Sequence, residues 1–191
     1  MRHICPLAIF IFAGLVAISA AEAAGRAGNP PAQQALKSDE RSIADPTPRD
    51  IVDFSGRQKP GTVIINTSER RLYFVLPRQQ AIRYAVGVGR PEFEWVGVKH
   101  IANKREWPDW TPPSQMIQRR PDLPRHMAGG IDNPLGARAM YLSGTLYRIH
   151  GSNEPDTIGQ AVSSGCIRMT NDDVVDLYDR TRIGATVIVM R

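Results

Sequence analysis

Strand-length stretches recur along the chain from residue 61 onward, first as β-branched or apolar runs and then with alternating apolar and polar residues. A period of two places successive side chains on opposite faces of a strand and is typical of half-buried β-strands. The first four stretches are Thr62–Thr67, Arg71–Leu76, Ala81–Gly89 and Val96–Lys104. Because the polar turn Ser68-Glu69-Arg70 separates the first two, we expect them to form a hairpin.

Three more predicted strands and one helix follow in the second half of this region. The strands are predicted over Ala139–Leu142, Leu146–Ile149 and Ala185–Met190. Thr170 and Asp173 have the spacing of a capping box. Val174, Leu177 and Tyr178 would then share one face of a short helix. The pattern as a whole predicts a mainly β domain with one or two short helices.

A passage rich in proline and tryptophan interrupts the strands after Lys104. It lacks strand-length apolar runs and predicts a long ordered loop, with one helical turn near Ser114–Arg119. Long ordered loops in compact domains are usually functional. We therefore expect the segment 107–130 to be functional.

The first 23 residues have the composition of a secretory signal peptide. Arg2 precedes the apolar run Leu7–Ala20, and the small-residue pattern Ala21-Glu22-Ala23 follows it, which predicts cleavage after Ala23. The apolar run has 14 residues, whereas a membrane-spanning helix needs about 20. We therefore expect export and no stable membrane span.

Residues 24–60 are polar and contain several prolines, so they predict an arm or linker that precedes the folded domain, residues 61–191. Loss of residues 1–23 removes one basic and one acidic residue, and the net charge stays at +5. A mildly basic exported protein suits an anionic surface, such as cell wall or lipid headgroups, better than it suits nucleic acid. The alternative is that this charge serves solubility only.

Cys166 is the single cysteine left once Cys5 has departed with the signal peptide. Cysteines of exported proteins normally pair, so an unpaired thiol calls for another explanation. One is a buried cysteine that packs as a small apolar side chain. The neighbours Ser164, Gly165 and Arg168 argue against an apolar site and favour a reactive thiol.

A catalytic cysteine needs a base or a positive environment, because an ordinary thiol with a pKa of ~8.5 is only a few per cent thiolate at neutral pH. His150 ends a predicted strand 16 residues before Cys166, a spacing that permits contact without proving it. Gly165 permits a tight turn that would direct the N–H groups of Gly165 and Cys166 to one point, as in an oxyanion hole. An ordinary Ser-Gly turn is the alternative.

No sequence motif indicates a cofactor or a metal. Gly87-Val88-Gly89 lacks the third glycine of a dinucleotide fingerprint, and neither a P-loop nor an H-E-x-x-H motif occurs. Nucleotide-dependent and metal-dependent chemistry are therefore not expected.

The segment IHGSNEPDTIGQAVSSGCIRMTNDD, residues 149–173, closely resembles the active-site signature of the L,D-transpeptidases, bacterial cell-wall enzymes with a YkuD-type catalytic domain. The resemblance extends through TVIINTSERRLYFVL, the segment 107–113 and the segment 132–142, and covers roughly residues 61–191. His-Gly followed by Ser-x-Gly-Cys-Ile-Arg is a specific signal, whereas either half alone would be weak. The resemblance implies a YkuD-like domain of β-sandwich or barrel-like architecture.

The resemblance also implies roles for individual residues. Cys166 would be the nucleophile and His150 its base, with the backbone N–H groups around Gly165 and Cys166 forming the oxyanion hole and Ser164 belonging to the same loop. Ser164 stands where many members have histidine, so His150 is the favoured base. A backbone carbonyl commonly orients this histidine in the family, and the sequence does not identify it.

Three further residues are expected to bind substrate: Arg168, Ser163 and Gly151. For Arg168, bracing of the loop is an equal alternative.

The implied reaction takes place on peptidoglycan outside the cytoplasm, in the periplasm or an equivalent compartment. The Cys166 thiolate would attack the diaminopimelate carbonyl of a tetrapeptide stem, release D-Ala and pass the acyl group to an acceptor. A neighbouring stem would give a 3-3 cross-link, a lipoprotein lysine a wall anchor, and water an L,D-carboxypeptidase activity. The alternative from another class is a catalytically inert wall-binding protein.

Overall fold

The structure is a computed structural model that describes residues 49–191. The predicted signal peptide and most of the predicted arm lie outside the described residues. Eleven strands form within residues 49–191: β1 Asp50–Asp53, β2 Val63–Asn66, β3 Arg71–Leu76, β4 Gln80–Ala85, β5 Val88–Gly89, β6 Gly97–Glu106, β7 Arg138–Leu142, β8 Arg148–His150, β9 Ala161–Ser163, β10 Ile167–Arg168 and β11 Thr186–Met190. The two α-helices of this part are α1, Ser114–Arg119, and α2, Asn171–Arg180.

Nine strands form one curled sheet in the order β1-β4-β3-β2-β11-β6-β7-β8-β10. Most neighbours are antiparallel, and the predicted hairpin is the antiparallel pair β2–β3. Two pairs are parallel, β2 with β11 and β8 with β10. Parallel pairing requires a crossover connection, and between β8 and β10 this connection is the segment 151–166.

A bridge of two hydrogen bonds draws the curled sheet toward closure. The Gly87 amide donates to the Arg168 carbonyl at 2.9 Å, and the Arg168 amide donates to the Gly87 carbonyl at 2.8 Å. Gly87 follows β4 near one end of the sheet, whereas Arg168 belongs to β10 at the other end. The small parallel pair β5–β9 continues this junction. The predicted mainly β, barrel-like architecture with one or two short helices is confirmed.

The apolar core fixes the register of the strands around this junction. Ile149 of β8 and Ile167 of β10 lie opposite each other and are almost fully buried. A slip of one residue would turn both side chains out of the core. Other buried members of the core are Val63, Ile65, Leu72, Ile101, Met140, Leu142, Val174, Leu177 and Val187.

Helix α2 begins where its predicted cap places it. Thr170 Oγ1 accepts a hydrogen bond from the Asp173 amide at 3.2 Å, which satisfies one of the free amides of the first turn. The Asp173 carboxylate accepts from Arg49 Nη1 at 3.0 Å. At the opposite end, Lys104 Nζ donates to the carbonyl of Thr181 at 2.7 Å. Both ends of the helix are thus tied to other parts of the chain.

Three short strands were not predicted. β1 lies inside the segment that the sequence assigns to an arm, and it pairs with β4. An ion pair of 2.8 Å between Asp50 and Arg83 supports this pairing. β9 and β10 have three and two residues, too few to show a period.

The boundary between arm and domain at residue 60 stays a prediction. Within residues 49–191, no helix has the length and apolar character needed to cross a membrane.

Candidate active site

The parallel pairing of β8 with β10 brings Cys166 and His150 together. The register aligns Ile167 with Ile149, so Cys166, the residue before β10, comes level with Arg148. Because Ile149 and Ile167 face the core, the alternation of side chains directs Cys166 and His150 to the other face of the sheet. Strand spacing and rise put their Cα atoms roughly 8 Å apart, a distance that two side chains can bridge.

The imidazole of His150 is oriented by the backbone of the next residue. Its Nδ1 atom lies 2.6 Å from the Gly151 carbonyl oxygen. A carbonyl oxygen only accepts, so Nδ1 carries the proton and Nε2 presents a lone pair. The ring is 4% exposed. A buried imidazole in this tautomer can take a proton at Nε2, as a base for a thiol must.

Burial sets the protonation states of both groups. Desolvation lowers the pKa of His150 to about 3, against the hydrogen bond to the Gly151 carbonyl, while the charges of Arg168 and Arg148 lower it further. Burial raises the pKa of the Cys166 thiol, and interactions with the amide and side chain of Arg148 and the charge of Arg168 oppose this shift. At neutral pH the resting pair is a neutral thiol and a neutral imidazole.

Ser163 holds the turn that presents Cys166. Its hydroxyl donates to the Cys166 carbonyl at 2.6 Å and accepts from the Gly165 amide at 3.1 Å. Of the two amides predicted to form the oxyanion hole, that of Gly165 is therefore engaged by Ser163. This leaves the Cys166 amide as the candidate donor, a role that stays a prediction, as does the role of Ser164.

Two aromatic side chains pack against the same turn. Gly165 has a φ of +105°, and a Cβ atom there would lie 2.4 Å from Tyr147 Cε1, so the position requires glycine. The rings of Tyr147 and Trp95 stack with centroids 4.9 Å apart. Trp95 Nε1 donates to the Gly165 carbonyl at 2.9 Å. The stacked pair thus fixes the residue that immediately precedes the thiol.

Arg168 braces the crossover between β8 and β10. Its Nη1 lies 3.0 Å from Glu154 Oε2 and 3.5 Å from Thr157 Oγ1. This contact corresponds to the bracing role among the two alternatives for Arg168. Its predicted role in binding substrate stays a prediction.

Gly151 lies where a larger residue would not fit. A Cβ atom on Gly151 would lie 2.3 Å from Asn171 Oδ1, which accepts a hydrogen bond from the Ala137 amide at 2.9 Å. The structure therefore shows Gly151 as the residue whose carbonyl orients His150 and whose Cα packs against α2. Its predicted contact with substrate stays a prediction.

The proline- and tryptophan-rich loop is ordered by internal hydrogen bonds. Trp110 and Met127 exchange two backbone hydrogen bonds of 2.8 Å. The buried Asn133 side chain donates to three loop carbonyls, those of Pro108, Met127 and Ala128. His126 is exposed in this loop, 3.5 Å from the Asp109 carboxylate. His126 is thus an exposed loop residue paired with an acidic neighbour.

One contact places the loop beside the thiol turn. The Arg119 guanidinium lies over the Phe93 ring, 5.3 Å from its centroid. The backbone of Phe93 in turn packs closely on Gly89. A Cβ atom on Gly89 would lie 2.8 Å from the Phe93 carbonyl oxygen and 3.2 Å from Gly165 Cα. Helix α1 of the loop therefore touches the segment that covers the thiol turn.

Sequence reasoning missed Arg148 and Trp95. Arg148 precedes His150 by two residues in one strand, so the period of two already placed both on one face. The sequence did not show which strand pairs with β8, because β10 has only two residues and gives no strand signal. Trp95 is 70 residues from Gly165 in the chain, and no local pattern connects them.

Comparison with protein families decides the relationship. The sequence profile of the L,D-transpeptidase catalytic domain, YkuD, matches residues 60–189. The chain belongs to this family. The resemblance seen in the sequence is thereby confirmed.

Relatives of the chain include curated and solved L,D-transpeptidases. It is 36% identical over 137 residues to the Escherichia coli protein "Probable L,D-transpeptidase ErfK/SrfK", an alignment that covers 67% of this chain and 43% of that protein. The chain thus spans less than half the length of this curated relative. It shares its fold with L,D-transpeptidase 3 from Mycobacterium tuberculosis, at a TM-score of 0.54 and 18% identity, over 68% of this chain and 60% of that one.

A solved structure of similar size comes from Brucella melitensis. It bears the name "Probable carnitine operon oxidoreductase caia" and is 42% identical, with a TM-score of 0.51. The match covers 80% of this chain and 99% of that chain. The L,D-transpeptidase fold of this chain therefore has a solved counterpart close to it in both sequence and length.

The two serines before Gly165 provide a matched test of the thiol turn. Ser163→Ala is expected to lower the free energy of unfolding by about 1–3 kcal/mol, because it leaves a buried amide and a carbonyl without their partner. Ser164→Ala should change it by less than about 0.5 kcal/mol. Denaturant titration of both variants measures the difference, and equal losses would contradict the role given to Ser163.

The protonation states predict the pH dependence of thiol alkylation. Below the pKa of a thiol, its thiolate fraction increases about tenfold per pH unit. Because the Cys166 pKa is raised, the rate of its reaction with iodoacetamide should keep increasing at this slope through pH 7 and 8, to a higher pH than for an ordinary thiol. A thiolate–imidazolium pair would instead give a plateau below pH 7. Mass spectrometry of the alkylated protein measures the rate, with Cys166→Ala as the blank. A plateau on the acid side would show that the neutral pair is wrong.

Proposed function

We propose that the protein is an exported peptidoglycan L,D-transpeptidase that uses Cys166 as nucleophile and His150 as general base. Membership of the family supports the reaction class. The observation that carries the residue assignment is the buried imidazole of His150. Its Nδ1 is bound to the Gly151 carbonyl, and it lies on the same face as Cys166 across the β8–β10 pair.

The first half of the reaction forms a thioester. As Cys166 Sγ attacks the carbonyl carbon of the diaminopimelate residue, His150 Nε2 takes the thiol proton. The new C–S bond and the negative oxygen form together, and the Cys166 amide stabilises that oxygen. When the intermediate collapses, the C–N bond to D-Ala breaks and His150 returns the proton to the departing amine. The enzyme then holds the stem as an acyl group on sulfur.

The second half transfers the acyl group to an acceptor amine. A neighbouring stem would supply it for a 3-3 cross-link, and a lipoprotein lysine for attachment to the wall. The amine nitrogen attacks the thioester carbonyl and forms a C–N bond, while His150 Nε2 accepts a proton from the amine. The C–S bond then breaks, and His150 returns the proton to Sγ, which restores the thiol. Aminolysis must be faster than hydrolysis. The loop 107–130 would limit the access of water, a role supported by the contact of Arg119 with Phe93, whose backbone lies against Gly89 beside Gly165.

The charge of the protein suits this substrate. Stem peptides carry carboxylates, and the chain has a net charge of +5. The charges that act on the Cys166 thiol are those of Arg148 and Arg168, and both are positive. The signal peptide predicted for residues 1–23 would deliver the protein to the compartment that holds peptidoglycan.

Two alternatives share parts of this site. An L,D-carboxypeptidase would use the same thiol and base but release the acyl group to water. A wall-binding protein with an inert thiol would need the basic surface and neither catalytic residue. Product analysis separates all three.

The purified protein should convert disaccharide-tetrapeptide into a cross-linked dimer that has lost one D-Ala. Because every acyl group passes through sulfur, Cys166→Ala should form no dimer, and His150→Gln should lose at least about a hundredfold in rate, the usual contribution of a general base. Mass spectrometry of the products measures both. Ser164→Ala serves as the matched variant beside the thiol.

The other outcomes are equally informative. Trimmed monomer alone, absent with Cys166→Ala, would favour the carboxypeptidase. Unchanged substrate would favour the binding protein. Dimer formation by Cys166→Ala would refute the assignment of the nucleophile.

A further inference from the structure

Arg148 occupies a position that no other charged residue of the described chain shares. It lies two residues before His150 in β8 and level with Cys166 across the β8–β10 pair. Side chains two residues apart in a strand share a face, and this face is the one that carries His150 and Cys166. Arg148 is therefore the cation nearest to the thiol in the register of the sheet.

The side chain of Arg148 is held in place rather than spread into solvent. Its guanidinium carbon lies 5.2 Å from the centroid of the Tyr141 ring, and Tyr141 faces Arg148 directly in the β7–β8 pair. Arg148 Nε is buried and has no hydrogen-bond partner within residues 49–191. A buried donor without a partner costs free energy, and a negative charge that forms beside it would satisfy it.

Arg168 makes an instructive contrast. It also lies near the thiol, but its Nη1 is paired with the Glu154 carboxylate at 3.0 Å. The positive charge of Arg168 is thus partly offset by an acidic partner, and its guanidinium holds the crossover. Arg148 is the cation left to respond to a charge on sulfur.

The neutral resting pair explains why such a cation is needed. Proton transfer from Cys166 to His150 creates a negative sulfur and a positive imidazole in a buried place, and burial opposes both charges. Among the influences that lower the Cys166 pKa, those of Arg148 come first, whereas on His150 the charge of Arg148 is the smallest of the named influences. Arg148 is thus the leading influence that favours the thiolate.

We propose that Arg148 is a positioning residue that stabilises the Cys166 thiolate during attack, through its fixed guanidinium and the backbone amide at the same position. This inference deepens the proposed function and rests on Cys166 as its nucleophile. The same charge makes the His150 imidazolium a stronger acid, which assists proton return to the leaving amine. Arg148 thus acts on both halves of the proton transfer.

The test is the rate of Cys166 alkylation by iodoacetamide at a fixed pH on the rising limb of its pH profile. Arg148→Met removes the charge and keeps an extended side chain. It should slow alkylation about tenfold or more, equivalent to a shift of the pH profile by roughly one unit toward higher pH. Arg148→Lys keeps the charge without the planar fork and should recover part of the rate.

Arg105→Met is the matched control. Arg105 shares the face with His150 through Ala139 but lies three strands from β10, roughly 14 Å away, beyond the screening length of physiological salt. Its alkylation profile should match that of the unmodified protein. Circular dichroism melts of all three variants confirm that they are folded.

A profile of Arg148→Met that coincides with that of the unmodified protein would overturn the inference, and so would an equal shift in Arg105→Met. If Arg148→Met does not fold, Arg148→Lys and Arg148→Gln decide: a larger shift with Gln than with Lys supports the inference, and equal profiles refute it. Alkylation requires no peptidoglycan. A shift in a protein that forms no cross-links would therefore leave the inference standing while the proposed function fails.

Discussion

The site depends on the parallel pairing of β8 with β10. Cys166 and His150 have no local connection along the chain, and only this pairing, locked by Ile149 and Ile167 in the core, sets them side by side. The backbone bridge from Gly87 to Arg168 holds β10 from its other edge. A strand of two residues would be marginal alone. The curl of the sheet therefore serves the site by clamping β10 between two neighbours.

A tension between burial and charge governs the chemistry. Burial keeps His150 and Cys166 neutral at rest, which protects the thiol from unwanted reactions because thiolates are the reactive form. The reaction nevertheless requires charges in the same place. Two groups assist the formation of these charges. The Gly151 carbonyl orients the imidazole, and Arg148 favours the negative charge on sulfur. The turn held by Ser163, Trp95 and Tyr147 keeps the sulfur in position while these charges form.

Much of the fold could be predicted from the sequence, because long strands and capped helices have local signals. The strand Arg71–Leu76 has the predicted bounds, and Thr170 caps α2 as its spacing indicates. The strands β1 and β10 were not predicted, because β1 lies in a polar, proline-bearing segment and β10 has only two residues. For the site, the motif singled out Cys166 and His150, which lie across the β8–β10 pair. The partners Trp95 and Arg148 depend on tertiary pairing, which a single sequence does not contain.

The central claim is that an acyl group passes through Cys166. The most direct measurement is the intact mass of the protein, quenched in acid shortly after mixing with tetrapeptide stems. We expect an adduct equal in mass to the stem without D-Ala, located on Cys166 and released by hydroxylamine as a thioester is. Cross-linked product without any such adduct, or an adduct that persists in Cys166→Ala, would contradict it.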